Sequence, residues 1–367
     1  MNVHDFKQLF PVTKNYAFLN NAAESPLNLK VKTKIEDYLD CAANAPHNKP
    51  NVRNEVRQKL SEILGGKPED YALVTSTGTG ISTVAAGYNW RQGDNVVVPY
   101  DEHWNNTFPW QLLQKKGLDV RFVPVDDDNR ISPEKLAALT DCNTKIVSTS
   151  AVRFNSGFRS DLKRLADIAH DRGALFMVDG IQGAGVVPMH VETDHIDILC
   201  SGGFKWLLGM PGTGFLYVKE NVQNLISPVL PGMFAADNHS TELNFYQDAR
   251  RYETGTISYS LFHGWTAGLE LIQELGVGNI YKRVLSLTDR IISGLQLKNI
   301  KIVTPIATLS ERSAILMFTM GSTDANKRLF DKLLSQNIIV TLRDGLIRIS
   351  PSFFNTEDEI DRFLNAL

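Results

Sequence analysis

Cysteine, excess positive charge, long apolar runs and the common nucleotide motifs are all scarce in this sequence. Cys41, Cys142 and Cys200 are the only cysteines in 367 residues, widely separated and without a CxxC pair. That usage rules out a disulfide framework and a zinc ribbon, leaves no metal site to expect, and fits a reducing, cytoplasmic setting. Lys and Arg number 38 against 41 Asp and Glu, a net charge of −3. No electrostatic footprint for nucleic acid follows from such a balance. The longest apolar runs, such as Ala314-Ile-Leu-Met-Phe318, have strand length, so no membrane span is expected. The opening MNVHDFKQLFPV carries an early acid and no apolar centre, so no secretory signal is expected. No GxxxxGK[ST] occurs, and Thr83 stands where GxGxxG needs its last glycine.

What is present is an ordinary soluble composition, 43% hydrophobic and 22% charged, long enough for two domains. Strand-like runs at 72–75, 95–99, 120–124, 145–149, 174–178, 196–200 and 214–218 alternate with helical patterns. Leu162–Asp171 places Leu162, Leu165, Ala166 and Ala169 on one face. Alternation of this kind predicts an α/β fold with a mostly parallel sheet covered on both faces. Beyond residue 260 come helices over 260–275 and 280–297. A smaller α+β pattern follows, with strands at 300–303, 313–319, 338–340 and 346–350 and helices at 324–336 and 356–367. The expected division is a large domain over 16–275 and a small domain over 276–367, with residues 1–15 packing on the latter.

Lys205 poses the chemical question. It lies in Ser201-Gly-Gly-Phe-Lys-Trp-Leu-Leu-Gly-Met-Pro-Gly-Thr-Gly214, among glycines and apolar side chains with no acid nearby in sequence. Either the ammonium snorkels to water or its charge is chemically managed. Ligands in open α/β sheets collect where strands end at their carboxyl side. The residues just past the strands are Ser76-Thr-Gly-Thr-Gly80 leading into a helix at Ile81–Tyr88, Asp101-Glu-His-Trp104, Asp179-Gly-Ile-Gln182 and the Lys205 segment. Each has a bland alternative: a tight turn for 76–80, a turn histidine for His103, a helix N-cap for Asp179. Jointly they meet the needs of pyridoxal phosphate (PLP). Backbone amides and hydroxyls suit the phosphate, His103 can stack on the ring, and Asp179 can pair with the pyridine nitrogen. Gln182 can donate to the phenolic oxygen, and desolvated Lys205 can hold the aldehyde as a Schiff base.

Seven motifs, in order, make the chain resemble the class V aminotransferase and cysteine desulfurase family of fold-type I PLP enzymes. Phe18-Leu-Asn-Asn-Ala-Ala-Glu-Ser-Pro26 is similar to the entrance strand YLDNAATTP, and Thr75-Ser-Thr-Gly-Thr79 to the TSGxT phosphate loop. Glu102-His103 matches EH, Val178-Asp-Gly-Ile-Gln182 matches VDGAQ, and Lys205-Trp…Gly212-Thr-Gly-Phe-Leu-Tyr217 matches HKxxGPxGxGxLY. Glu253-Thr-Gly-Thr256 resembles FEAGT, and Arg348-Ile-Ser-Pro-Ser-Phe-Phe-Asn-Thr356 resembles RxSxxxYNT. The resemblance implies that Ser76, Thr77, Gly78, Thr79, His103, Asp179, Gln182 and Lys205 hold the cofactor. It further implies a homodimer in which Thr256 reaches a partner's phosphate. Arg348, with Arg343, Asn21 and Ala22, is expected to bind a small amino-acid substrate.

Departures narrow the expectation. Gly202 and Phe204 stand where the family places a phosphate-binding serine and histidine, and Phe154 stands where many members have a ring-facing asparagine. Desulfurases of the family carry a mobile-loop cysteine shortly before the carboxylate-binding arginine, yet the segment from Ser335 to Arg348 has none. FNSGFRSDL, KWLLG and IRISPSFFNT are closer to members resembling isopenicillin N epimerase and C–S lyases. The expected activity is Cα–H abstraction from a small amino acid, then β-elimination of the C–S lyase type without a catalytic cysteine. Transamination and epimerisation are the enzymatic alternatives. A nucleotide- or sugar-binding α/β module is the non-enzymatic one, and the Lys205, Asp179 and Arg348 set argues against a catalytically dead scaffold.

Overall fold

The computed structural model describes residues 6–127, 129–237 and 243–367. Its centre is a seven-stranded sheet ordered β2-β8-β7-β6-β5-β3-β4. The strands are β2 (Tyr71–Val74), β3 (Asn95–Pro99), β4 (Asp119–Val123), β5 (Thr144–Ser150), β6 (Leu175–Asp179), β7 (Ile198–Gly202) and β8 (Gly214–Val218). Strands β7, β6, β5, β3 and β4 run parallel, and β8 is antiparallel to both of its neighbours. Alternate residues feed two cores. Leu73, Val97, Val147, Phe176, Leu199 and Phe215 enter one, and Ala72, Val96, Ile146, Met177, Ile198 and Leu216 the other. Two-sided burial is why these strands read as nearly unbroken apolar runs.

The helices are α1 (Leu29–Asn44), α2 (Arg53–Leu64), α3 (Thr77–Gly87), α4 (Phe108–Gln114), α5 (Pro133–Leu139), α6 (Leu162–His170), α7 (Tyr259–Leu275), α8 (Val277–Leu297), α9 (Thr323–Ser335) and α10 (Glu357–Asn365). Helix α6 turns Leu162, Leu165, Ala166 and Ala169 inward. One boundary changes the chemistry. Helix α3 begins at Thr77 rather than Ile81, because the Ser76 hydroxyl accepts the Thr79 amide at 3.1 Å and caps the helix there. The glycines of 76–80 therefore sit in a first helical turn. Helix α8 starts at Val277, three residues earlier than expected, since Gly276 takes φ 75° and redirects the chain within one residue.

The C-terminal part holds a four-stranded antiparallel sheet ordered β12-β13-β10-β9, made of β9 (Lys301–Ile302), β10 (Leu316–Thr319), β12 (Thr341–Arg343) and β13 (Leu346–Ile349). Helices α8, α9 and α10 cover it through Leu287, Ile291, Leu333, Ile360 and Phe363. The short β1 (Ala17–Phe18) pairs in parallel with β11 (Ile338–Ile339). Ala17 and Leu19 join this C-terminal core, past the residue 15 at which the sequence pattern places the crossing. Nearby, Phe10 stacks on Phe354 at 3.9 Å and Lys7 pairs with Glu359 at 2.9 Å. No helix among the described residues is long and apolar enough to cross a membrane.

Candidate active site

The site lies at the carboxyl ends of β5, β6 and β7, beside the start of α3. Lys205 follows β7 in a tight turn closed by Leu208 N–H to the Lys205 carbonyl at 3.0 Å and Gly203 N–H to the Thr213 carbonyl at 2.8 Å. A Cβ on Gly203 would stand 2.5 Å from Thr213 Oγ1 and 2.7 Å from the Trp265 ring, so only glycine fits. Lys205 does not snorkel; it is 9% exposed. Burial, reinforced by Arg348 and Arg343 and opposed by Asp179, lowers its pKa to about 7. Much of the amine is thus neutral, and nucleophilic, near neutral pH.

Asp179 ends β6 and is 2% exposed. Its Oδ1 accepts the Ile181 amide at 3.0 Å, capping a turn rather than a helix, and among the described residues Oδ2 has no protein donor. Burial raises its pKa to about 7; the Ile181 hydrogen bond and Lys205 oppose the rise, and Glu102 adds to it. A buried carboxylate with one open oxygen is what a buried cationic ring nitrogen requires. His103 caps a short 3-10 turn, its Nδ1 accepting the Asn105 amide at 3.2 Å. Burial, then the positive charges of Lys205, Arg343 and Arg348, lower its pKa to about 4, leaving a neutral ring.

At the phosphate loop, capping by Ser76 leaves the amides of Thr77 and Gly78 without intrahelical acceptors. The hydroxyls of Ser76 and Thr79 meet at 2.9 Å, and Thr77 Oγ1 accepts the Gly202 amide at 2.8 Å. Thr77 therefore ties the loop to β7 at the residue where the family's serine is missing. Gly78 lies against Asn105, whose Oδ1 would be 3.1 Å from an added Cβ. Gln182 is less free than expected. Its Nε2 donates to the Ala22 carbonyl at 2.9 Å and its Oε1 accepts from Trp206 Nε1 at 3.1 Å, leaving one amide hydrogen uncommitted. Ala22 is wholly buried among core side chains, its carbonyl held by Gln182. Asn21, 1% exposed, donates Nδ2 to the Ser350 carbonyl at 3.0 Å, while its Oδ1 is buried without a partner.

Arg348 on β13 is 2% exposed, donates Nη1 to the Phe154 carbonyl at 3.2 Å and leaves Nε unpartnered. Burial, with Arg343 nearby, lowers its pKa to about 10. Arg343 pairs across the hairpin with Leu346, two residues before Arg348, so the two arginines project from one face. The Arg343 guanidinium lies 4.5 Å from the Phe154 ring centre and 5.8 Å from that of Trp104, and its Nε is also buried and unpartnered. Its nearest acid, Asp344, is 3.8 Å away and exposed. Thr256 is exposed and, among the described residues, makes no hydrogen bond to the other site groups.

Sequence reasoning missed several supports. Glu253 is buried and binds both Arg53 and Arg57, fixing the start of the loop that carries Thr256. Phe154 packs against His103 in a T-shaped contact, with centres 5.1 Å apart at 83°. Asn155 turns away and donates to the Asp101 carbonyl at 3.5 Å. Glu253 stands in the FEAGT-like motif and Phe154 at a departure from the family pattern, but no spacing in one sequence announces what either side chain touches. Among the described residues no cluster of three or more His, Cys, Asp or Glu side chains could hold a metal ion.

A buried amine shifted toward neutrality, a buried carboxylate with an open oxygen, a neutral flat ring, a capped helix start with free amides and two guanidinium groups with orphaned nitrogens together fit PLP. The aldehyde would meet Lys205, the ring nitrogen Asp179 and the phosphate the start of α3. Comparison with known proteins agrees. The model of the family "Aminotransferase class-V" matches residues 17–363. A probable cysteine desulfurase of Methanothermobacter thermautotrophicus is 26% identical, the match covering 98% of this chain and 96% of that protein. The apo structure of a cysteine desulfurase from Thermococcus onnurineus superposes with a TM-score of 0.90 at 25% identity, over 99% of this chain and 96% of that one. A cystine C–S lyase solved with its product cysteine persulfide shares the fold, with a TM-score of 0.89 at 23% identity over 97% of this chain and 98% of that one. The chain belongs to the class V aminotransferase family of PLP-dependent enzymes.

Proposed function

We propose that this enzyme is a C–S lyase that cleaves a cysteine-type amino acid by β-elimination, with no cysteine nucleophile of its own. The observation that carries the reading is the hairpin β12–β13. Where desulfurases resembling this chain carry a cysteine on a mobile loop, the chain turns in two residues, Asp344 at φ 50° and Gly345 at φ 76°. Paired left-handed residues form the tight turn that twisted hairpins favour, so no loop is left to carry a nucleophile. The hairpin brings Arg343 to its tip instead.

Bound PLP supplies an electron sink at the substrate's Cα. Lys205 Nζ accepts the Cα proton, and its depressed pKa makes it a base near neutral pH. The Cβ–S bond then breaks with its electron pair on sulfur, and water converts the released enamine acid to pyruvate and ammonium. Arg348 holds the α-carboxylate and sets the Cα–H bond toward Lys205. Arg343, sharing a face with Arg348, binds a second anionic group. Cystine, the substrate named for the C–S lyase that shares this fold, carries two carboxylates and matches that pair. Three free, separated thiols support a cytoplasmic enzyme. The exposed Thr256 supports a homodimer in which it completes the partner's phosphate site.

The test is product analysis with cystine and a panel of amino acids. Pyruvate, ammonium and a soluble persulfide in equal amounts are expected from cystine. Alanine with protein-bound sulfur would make the enzyme a desulfurase. A keto acid formed only with an amino acceptor would make it an aminotransferase, and a D-amino acid an epimerase.

A further inference from the structure

The loop leaving β3 is held in a costly shape by groups that take part in no step above. Asp101 takes φ 62°, in the left-handed region that favours glycine. Arg153, 2% exposed, donates Nη2 to the carbonyls of both Tyr100 and Asp101 at 3.3 Å. Glu102, 4% exposed, accepts the Ser150 amide through Oε1 at 2.9 Å and the Ser150 hydroxyl through Oε2. Arg153 Nη1 stands 4.0 Å from Glu102 Oε1. These contacts lash one segment, 100–103, to another, 150–155, where β5 ends. The first carries His103, and the second carries Phe154, whose ring meets His103 at nearly a right angle. Ser150 is in register with Asp179 on the next strand.

An apolar pair of the same volume would hold two loops together as well or better, because burying both charges carries a heavy desolvation cost. What such a pair lacks is direction. We propose that Glu102 and Arg153 are positioning residues that fix the height and tilt of the His103 imidazole, so that it presents its face to the cofactor. The inference rests on the reading of His103 as the residue that stacks on PLP.

The test is a double-mutant cycle on cofactor affinity. Cofactor-free wild type, Glu102→Gln, His103→Ala and the double variant are titrated with PLP, and the His103 Cε1–H resonance is followed by NMR in the cofactor-free proteins that retain it. Glu102→Gln keeps the size of the side chain but removes the charge facing Arg153. It should move the His103 resonance and weaken PLP about tenfold, and by less than about twofold once His103 is alanine. Equal weakening in both backgrounds, or no weakening with an unmoved resonance, overturns the proposal. Should Glu102→Gln not fold, Ser150→Ala removes one hydrogen bond and no charge, and the same cycle applies. If His103→Ala alone leaves affinity and the cofactor spectrum unchanged, the stacking reading fails and this inference falls with it. A strong His103 effect without coupling to Glu102 sinks only the inference.

Discussion

Lys205 and Asp179 are both drawn toward neutrality by burial, and this makes the cofactor-free protein unusually sensitive to pH. The folded pKa of Lys205, about 7, lies below its ordinary 10.5, so the unfolded chain binds more protons between those values. Its contribution to stability is therefore present above about 10.5 and lost as pH falls through about 7. Asp179 has the opposite sign: raised from 3.8 to about 7, its contribution is present below 3.8 and lost as pH rises through about 7. Cofactor-free Lys205→Met should gain less stability than wild type between pH 7 and 10, as read by thermal melts; parallel curves would contradict the burial argument. In the loaded enzyme, Asp179→Asn should keep the fold and lose about 10²-fold or more in kcat, because an amide cannot pair with a cationic ring. Near-normal turnover would leave Asp179 only its turn-capping bond to Ile181. These residues were legible because each lies just past a strand, where sequence order announces the site. Glu102 and Phe154 stand in or beside recognisable motifs, but their contacts across the sheet are encoded by no local spacing.

Among the elements, the two-sided strands were the most legible. Strands β3 and β8 fall where the apolar runs place them, and the other strands of the large sheet shift by one or two residues. Helix α1 is harder to read: Val31, Ile35, Tyr38 and Ala42 form only a narrow inward stripe, and of its sixteen residues Val31 alone is fully buried. The β12–β13 hairpin carries the functional weight. Arg348→Ala should raise KM and lower kcat together, by about 10²-fold in kcat/KM, because the carboxylate orients the reacting bond. Arg343→Ala should raise KM about tenfold for cystine while sparing substrates with a single carboxylate. Equal losses on both substrate classes would remove Arg343 from side-chain recognition. At the Lys205 turn, Gly203→Ala forces a methyl into Thr213 and Trp265 and should cost about 1–3 kcal/mol in denaturant unfolding.

Across the whole molecule, long-range ties decide what a single sequence conceals. Glu253 binds Arg53 and Arg57 some two hundred residues away and also accepts the Leu73 amide at 2.9 Å. That joins α2, β2 and the Thr256 loop. Glu253→Ala would strand two buried guanidinium groups and should cost about 3–5 kcal/mol, a loss read in the melting temperature. The sulfur atoms bear most directly on the chemistry. Cys200 is fully buried, with its pKa pushed well up by burial and by Asp179, while Cys142 is exposed and Cys41 half-buried. Under the proposed C–S lyase activity, no protein sulfur takes part in catalysis. The direct measurement is cystine turnover by a variant with Cys41, Cys142 and Cys200 all replaced by serine or alanine, with the intact protein mass recorded during the reaction. Turnover within about tenfold of wild type, a barrier change near 1.4 kcal/mol, with no added sulfur on either protein is the expected result. Lost turnover in the folded variant, with a persulfide on Cys41, Cys142 or Cys200 of the wild type, would contradict it.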